Sequence, residues 1–233
     1  MQACIAALIL ILSLSAPVAA GDPASAWSGL TNLTVDSTPV GEVKVCYPAA
    51  LANIQMTPAA VEPDGSKRII VMQTKLTADS GQQFLVVYDE GPSVDPTFMI
   101  YLGHQLQGEP ALEVFALTLI LPGNGQVYAA GHTNNMYDQR RKFVFANRTF
   151  QEAVQPFYAV NVSGQLDAPV TLMAERGNSA RVGFLPAGSN VDVLLNKDDW
   201  YLLRTPFGLT GWARIDPSPA PGSPVIGLYY AGD

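Results

Sequence analysis

The sequence predicts an all-β protein built from a larger N-terminal β domain, sandwich or barrel-like, and a smaller β unit behind it. Two observations carry this. Runs of β-branched and aromatic residues recur over residues 42–47, 68–76, 82–88, 97–102, 112–121, 126–130, 142–145 and 157–162, separated by Gly, Pro, Asn and Asp. One run also ends in a strong hairpin signal, ALTLILPGNGQVYAAG, in which Pro122-Gly123-Asn124-Gly125 supplies the conformations a tight reversal needs.

Taken in chain order, the first element is a leader. Residues 1–20, MQACIAALILILSLSAPVAA, read as a secretory signal peptide cut after Ala20. The apolar run is shorter than the ~20 residues a bilayer span needs, although the lack of Lys or Arg before it leaves an uncleaved anchor as an alternative. The expectation is export, to the periplasm or beyond. Residues 21–154 then form the N-terminal β domain. Within it, residues 49–55 look like a short helix. Residues 112–121 are ambiguous, because Pro110 could open a helix, and the hairpin signal behind them favours strand. A second unit spans residues 155–216. The stretch DPSPAPGSP, with four prolines in nine residues, follows as a stiff linker. Residues 217–233 end in VIGLYYAGD, whose Ile226, Leu228 and Tyr229 are expected to dock on the body of the protein.

Charge narrows the partners. Thirteen basic residues against 20 acidic ones give a net charge of −7, and no nucleic-acid partner is expected where cations to neutralise phosphates are so few. With 48% hydrophobic and 14% charged residues the chain has ample material for a core. Once the leader is gone Cys46 is the lone cysteine, expected as a buried small hydrophobe, with a nucleophile or an intermolecular bridge as alternatives.

No residue set announces chemistry. His104 and His132, the only histidines, have no carboxylate or cysteine at metal-ligand spacing, so no metal or other cofactor is expected. No serine sits in a Gly-x-Ser-x-Gly elbow, and Gly123 with Gly125 lacks the Lys of a phosphate loop. Arg140-Arg141-Lys142 is the one basic triplet. It reads as a charged turn leading into a strand, or as a clamp for an anionic ligand. Asn32, Asn147 and Asn161 each begin an Asn-x-Ser/Thr triplet, which bears on glycosylation only in a eukaryotic secreted chain.

The stretch DDWYLLRTPFGLTGWARI, residues 198–215, is the most informative. Closed by Thr205-Pro206-Phe207-Gly208, a hairpin pairs Arg204 with Leu209, Leu202 with Gly211 and Tyr201 with Trp212. Period two then puts Tyr201, Leu203, Thr210 and Trp212 on one face and Trp200, Leu202, Gly211 and Ala213 on the other. Each face carries one tryptophan, so one face is core and the other is free to bind. Gly211 marks a close approach by another chain segment.

Residues 168–215 resemble a bacterial Src-homology-3-like domain, a small β-barrel. The resemblance rests on Val170 and Leu172, Gly183 and Leu185, Pro186 with Gly188, Val191 and Val193, Trp200 with Tyr201, and Gly208, Gly211 and Trp212, in order. It departs after Trp212, where the usual closing strand gives way to the Pro-rich tail. MYDQRRKFVF and QPFYAV also look like a class of uncharacterised secreted envelope proteins bearing such a module. The resemblance implies a peptide or peptidoglycan fragment held in an aromatic-lined groove. Carried over, it nominates Trp200 with Asp198 and Asp199 beside it, then Tyr201 and Phe207, as binding residues, and Trp212 as core. All of these residues could instead be packing. The expected function is that of a non-enzymatic envelope protein, the alternative being an envelope hydrolase or inhibitor with its site in residues 21–154 and the module as a targeting device.

Overall fold

The computed structural model describes residues 22–61, 65–91, 95–177, 180–216 and 222–231. The expected leader and most of the Pro-rich linker lie outside these. Within them the chain is all-β, with strands in three sheets and helical geometry confined to two 3-10 turns, Pro23–Ala26 and Ala49–Leu51. No helix of the described residues is long and apolar enough to cross a membrane.

The first sheet runs in the order β1 (Thr31–Thr38), β2 (Gly41–Tyr47), β8 (Thr118–Ile120), β9 (Gln126–Gly131), β10 (Gln139–Ala146), β11 (Thr149–Glu152). The second runs β3 (Ala52–Val61), β4 (Lys67–Thr74), β5 (Phe84–Asp89), β6 (Thr97–Leu102), β7 (Leu112–Phe115). Their inner faces share one core. Phe84 of the second sheet packs edge-on to Phe145 of the first, centroids 5.1 Å apart, and lies 5.8 Å from Phe150. The Tyr88 hydroxyl reaches across to donate to the Asp36 carboxylate at 3.2 Å. Every residue of β5 is buried, because its second face, Leu85 and Val87, forms a further cluster with Met99, Tyr101 and Leu106. Strands covered on both faces read as continuous apolar runs rather than alternation.

Residues 112–121 are strand, but two strands in different sheets. β7 pairs with β6, and β8 pairs with β2 in parallel and with β9 antiparallel. The chain crosses between sheets at Ala116 and Leu117, directly over Gly131, where a Cβ would lie 2.8 Å from the Ala116 Cα. The short helix expected over 49–55 is instead a single 3-10 turn followed by β3, because residues 52–57 find hydrogen-bond partners along β4. Ladder pairing with a long-range partner overrides a weak local preference.

The third sheet has the order β12 (Tyr158–Gln165), β15 (Asn190–Lys197), β16 (Trp200–Arg204), β17 (Thr210–Arg214), β13 (Val170–Met173), β14 (Arg181–Leu185). Its ladder ends at β12 and β14 and does not close on itself, where a small barrel was expected. One apolar face gathers Val160, Leu172, Val191, Val193, Tyr201, Leu203 and Ala213. Four residues from elsewhere in the chain complete that core: Met136 and Tyr137, from the connection between β9 and β10, and Val225 and Leu228, from the C-terminal tail, each 1% exposed. The tail docks through a bridge between Leu166 and Val225 and through bridges from Ala231 to Thr133 and Asn135. Leu228 is buried as expected, while Ile226 and Tyr229 stay exposed at 56% and 59%.

Candidate functional site

The hairpin of β16 and β17 sets the site by its register. Arg204 pairs with Thr210, Leu203 with Gly211, Leu202 with Trp212, Tyr201 with Ala213 and Trp200 with Arg214. This is one residue away from the expected pairing, and the turn explains it. The loop holds five residues rather than four. The Thr205 carbonyl accepts from the Gly208 amide at 2.8 Å, its hydroxyl oxygen accepts from the Leu209 amide at 3.1 Å, and Gly208 takes φ +91°. A one-residue shift carries every side chain of one strand to the opposite face. Tyr201, Leu203, Gly211 and Ala213 therefore share the core face, and both tryptophans share the outer one.

The core face accounts for Tyr201 and Gly211. Tyr201 is 3% exposed and meets Tyr137 edge-on, centroids 6.3 Å apart. Burial, with the Asp199 charge adding to it, pushes its phenol up to about 12. Tyr201 is thus a packing residue of this core. A Cβ at Gly211 would sit 2.7 Å from the Leu172 Cβ, which is the close approach by β13 that its glycine permits.

On the outer face, Leu195, Leu202 and Trp212 form one cross-strand row and Lys197, Trp200 and Arg214 the next. Trp212, expected in the core, is half-buried here. Phe157 lies against it, centroids 5.6 Å apart and planes 35° from parallel. Arg176, from the connection between β13 and β14, places its guanidinium 5.4 Å from the Phe157 centroid and 5.7 Å from that of Trp212. Its Nη1 is 3.7 Å from the Asp198 carboxylate, and Arg214 pairs with Asp199 at 3.0 Å. The result is an aromatic platform edged by two Arg–Asp pairs, a surface that can stack a planar or ring-shaped group and bond its polar rim.

The turn holding Asp198 is fixed from beneath. Asp198 takes the left-handed φ of +54°, and the buried Asn196 amide donates to the Asp198 carbonyl at 2.7 Å and the Trp200 carbonyl at 3.3 Å. The Tyr137 hydroxyl donates to Asn196 Oδ1 at 3.1 Å. A residue of the connection between β9 and β10 thereby anchors the turn that flanks the platform.

Of the nominated residues, Trp200 and Asp198 border this platform, whereas Phe207, 95% exposed, stands at the tip of the β16–β17 turn, the opposite end of the hairpin. Sequence reasoning missed Phe157, Arg176 and the outward face of Trp212. The signal for Trp212 was the Thr205–Leu209 loop, whose fifth residue reverses the parity; Arg176 carries no sequence signal, because nothing in a loop of small and charged residues says which ring it will cover.

The titratable groups that burial or pairing perturbs are spread through the molecule. Burial raises the Cys46 thiol to about 11 against the lowering effect of Lys44, and raises Tyr88 and Tyr137 further still. Asp192 is held low by hydrogen bonds from Ser163 and Arg204. His132 places Nε2 2.9 Å from the Tyr229 carbonyl oxygen and packs, tilted, against its ring, so it secures the tail. Among the described residues no three His, Cys, Asp or Glu side chains converge as metal ligands would. The chain matches no family model, no curated protein and no solved structure.

Proposed function

We propose that this is a non-enzymatic envelope protein, exported through its leader to the periplasm or beyond, whose C-terminal unit is a Src-homology-3-like module binding an extended peptide or a peptidoglycan fragment. The observation that carries the reading is the stack of Arg176 over Phe157 and Trp212 on the solvent face of β16 and β17. A flexible glycopeptide gains most from rigid rings that lose little entropy on binding, and its carboxylates and amides suit an Arg–Asp edge. The binding residues are Trp212, Phe157, Arg176, Trp200 and Asp198; Tyr201 and Phe207 have no part.

Calorimetric titration with soluble peptidoglycan fragments and, separately, a Pro-rich peptide tests this. Trp212→Ala is expected to weaken binding by about 2 kcal/mol or more, as truncating an interface aromatic does, with Trp200→Ala showing a smaller loss and Phe207→Ala none. Both tryptophan variants should keep their melting temperature within a few degrees. Absence of binding by the wild type to either ligand class, or loss of folding in Trp212→Ala, would overturn the reading.

A further inference from the structure

The second sheet carries a feature on its outer face that is independent of the platform. Register fixes one cross-strand row there as Asn53, Gln73, Leu85 and Tyr101. Leu85 and Tyr101 belong to the outer cluster that Leu106 packs against, so Asn53 and Gln73 point to that side and not into the sandwich core. The pairing continues past the strand ends, where the Lys75 amide donates to the Leu51 carbonyl at 3.1 Å and the Gly103 amide to the Gln83 carbonyl at 2.8 Å. Lys75 and Gln83, two residues along from Gln73 and Leu85, therefore extend the same face. Gly103, at φ +87°, then turns the chain so that His104 borders it.

These side chains surround an open recess of about 540 Å³, a volume suited to a small molecule. Leu51 and the alanines beside it form its apolar part. Its polar part is dominated by the carboxamides of Asn53, Gln73 and Gln83, none of which hydrogen-bonds to another of the described residues. A carboxamide presents donor and acceptor side by side, the complement of adjacent hydroxyls, each of which also does both. The rest of the lining narrows the ligand. Among the described residues no Asp or Glu lines the recess to balance a cation, Lys75 is the one fixed positive charge where a phosphate clamp uses several donors, and no Phe, Tyr or Trp offers a face to an aryl group.

We infer that this recess binds a neutral saccharide of one or two rings, its hydroxyls held by Asn53, Gln73 and Gln83 and its C–H face against Leu51. The carboxamides replace the water that the hydroxyls give up, and no net charge has to be buried.

Titrating the isotope-labelled protein with glucose, galactose and maltose, beside glucuronate and inorganic phosphate, tests the inference in proton–nitrogen correlation spectra, where the side-chain NH2 pairs of Asn53, Gln73 and Gln83 report directly. At least one neutral sugar is expected to shift the Asn53 and Gln73 pairs along a saturable one-to-one curve, with glucuronate no tighter and phosphate without effect on them. Asn53→Leu and Gln73→Met should each weaken that sugar roughly fivefold, the worth of one hydrogen bond, and unchanged melting curves show that the variants fold. No saturable shift with any neutral sugar, tighter binding of glucuronate or phosphate, or carboxamide variants that bind like the wild type would each overturn it. Trp212→Ala should leave these shifts intact. Sugar-induced shifts confined to the Trp200 and Trp212 indoles would put the sugar on the platform and overturn the inference, whereas failure of the platform to bind a peptide or peptidoglycan fragment leaves it standing.

Discussion

The two cores of the molecule are assembled differently. The N-terminal sandwich fills its interior from its own two sheets, with Phe84 against Phe145 and Phe150 across the middle. The C-terminal sheet offers one apolar face and completes it with Met136 and Tyr137 from the sandwich and Val225 and Leu228 from the tail. Size explains the contrast, since a unit of about 60 residues buries a smaller fraction of its surface and is marginal alone. The lesson concerns function as well as stability: the residue that plugs the small core, Tyr137, also holds Asn196, which holds the turn beside the aromatic platform.

The sharpest way to break this comparison is Tyr137→Ala. It is expected to destabilise the C-terminal unit by about 3–5 kcal/mol, as truncating a fully buried aromatic does, although Tyr137 lies outside that unit in sequence. Urea unfolding followed at the C-terminal tryptophans should show a separate early transition, with the sandwich unfolding later. If the single transition of the wild type merely persists, the core is not borrowed.

Ending the chain after Asp216 should cost about 2–4 kcal/mol through the loss of Leu228 and Val225 from the same core. Limited proteolysis should then cut the third sheet first. Preferential loss of the sandwich strands would contradict the account.

High pH gives a third, smaller effect. Tyr201 titrates near 12 in the folded chain against an ordinary value of 10.0, so the unfolded chain releases this proton first. The stability linked to it is fully present below pH 10 and is lost as the pH rises through about 12, amounting to roughly 2–3 kcal/mol at most. Tyr201→Phe should flatten the decline of melting temperature over that range; an unchanged decline would mean that Tyr201 is not held in the core.

Tyr137→Phe should have the mildest effect, about 1 kcal/mol for the hydrogen bond to Asn196. It should also weaken peptide binding slightly by loosening the turn at Asp198. A stability loss as large as that of Tyr137→Ala would show that the hydroxyl, not the ring, dominates.

What the sequence made legible follows from how local each signal was. The all-β character and the β8–β9 hairpin came from contiguous residues: Pro122 to Gly125 make a turn wherever they stand between two strands. The face assignment of β16 and β17 hinged on a single loop residue. Because Leu209 joins the turn through Thr205, the expected parity reversed, and Trp212 exchanged a core role for a surface one. Leu228 was readable from the apolar tail, but Val225 was not, and the insertion of Met136 and Tyr137 was invisible because it depends on how two units sit against each other.

The three tryptophans, Trp27, Trp200 and Trp212, give the most direct test of the binding face, because each contributes one indole N–H resonance to a proton–nitrogen correlation spectrum. Titration with soluble peptidoglycan fragments or the Pro-rich peptide is expected to shift the Trp212 and Trp200 signals together and leave Trp27 in place. Shifts at Trp27 alone, or no shift at Trp212 under saturating ligand, would contradict the assignment of the outer face of β16 and β17 as the site.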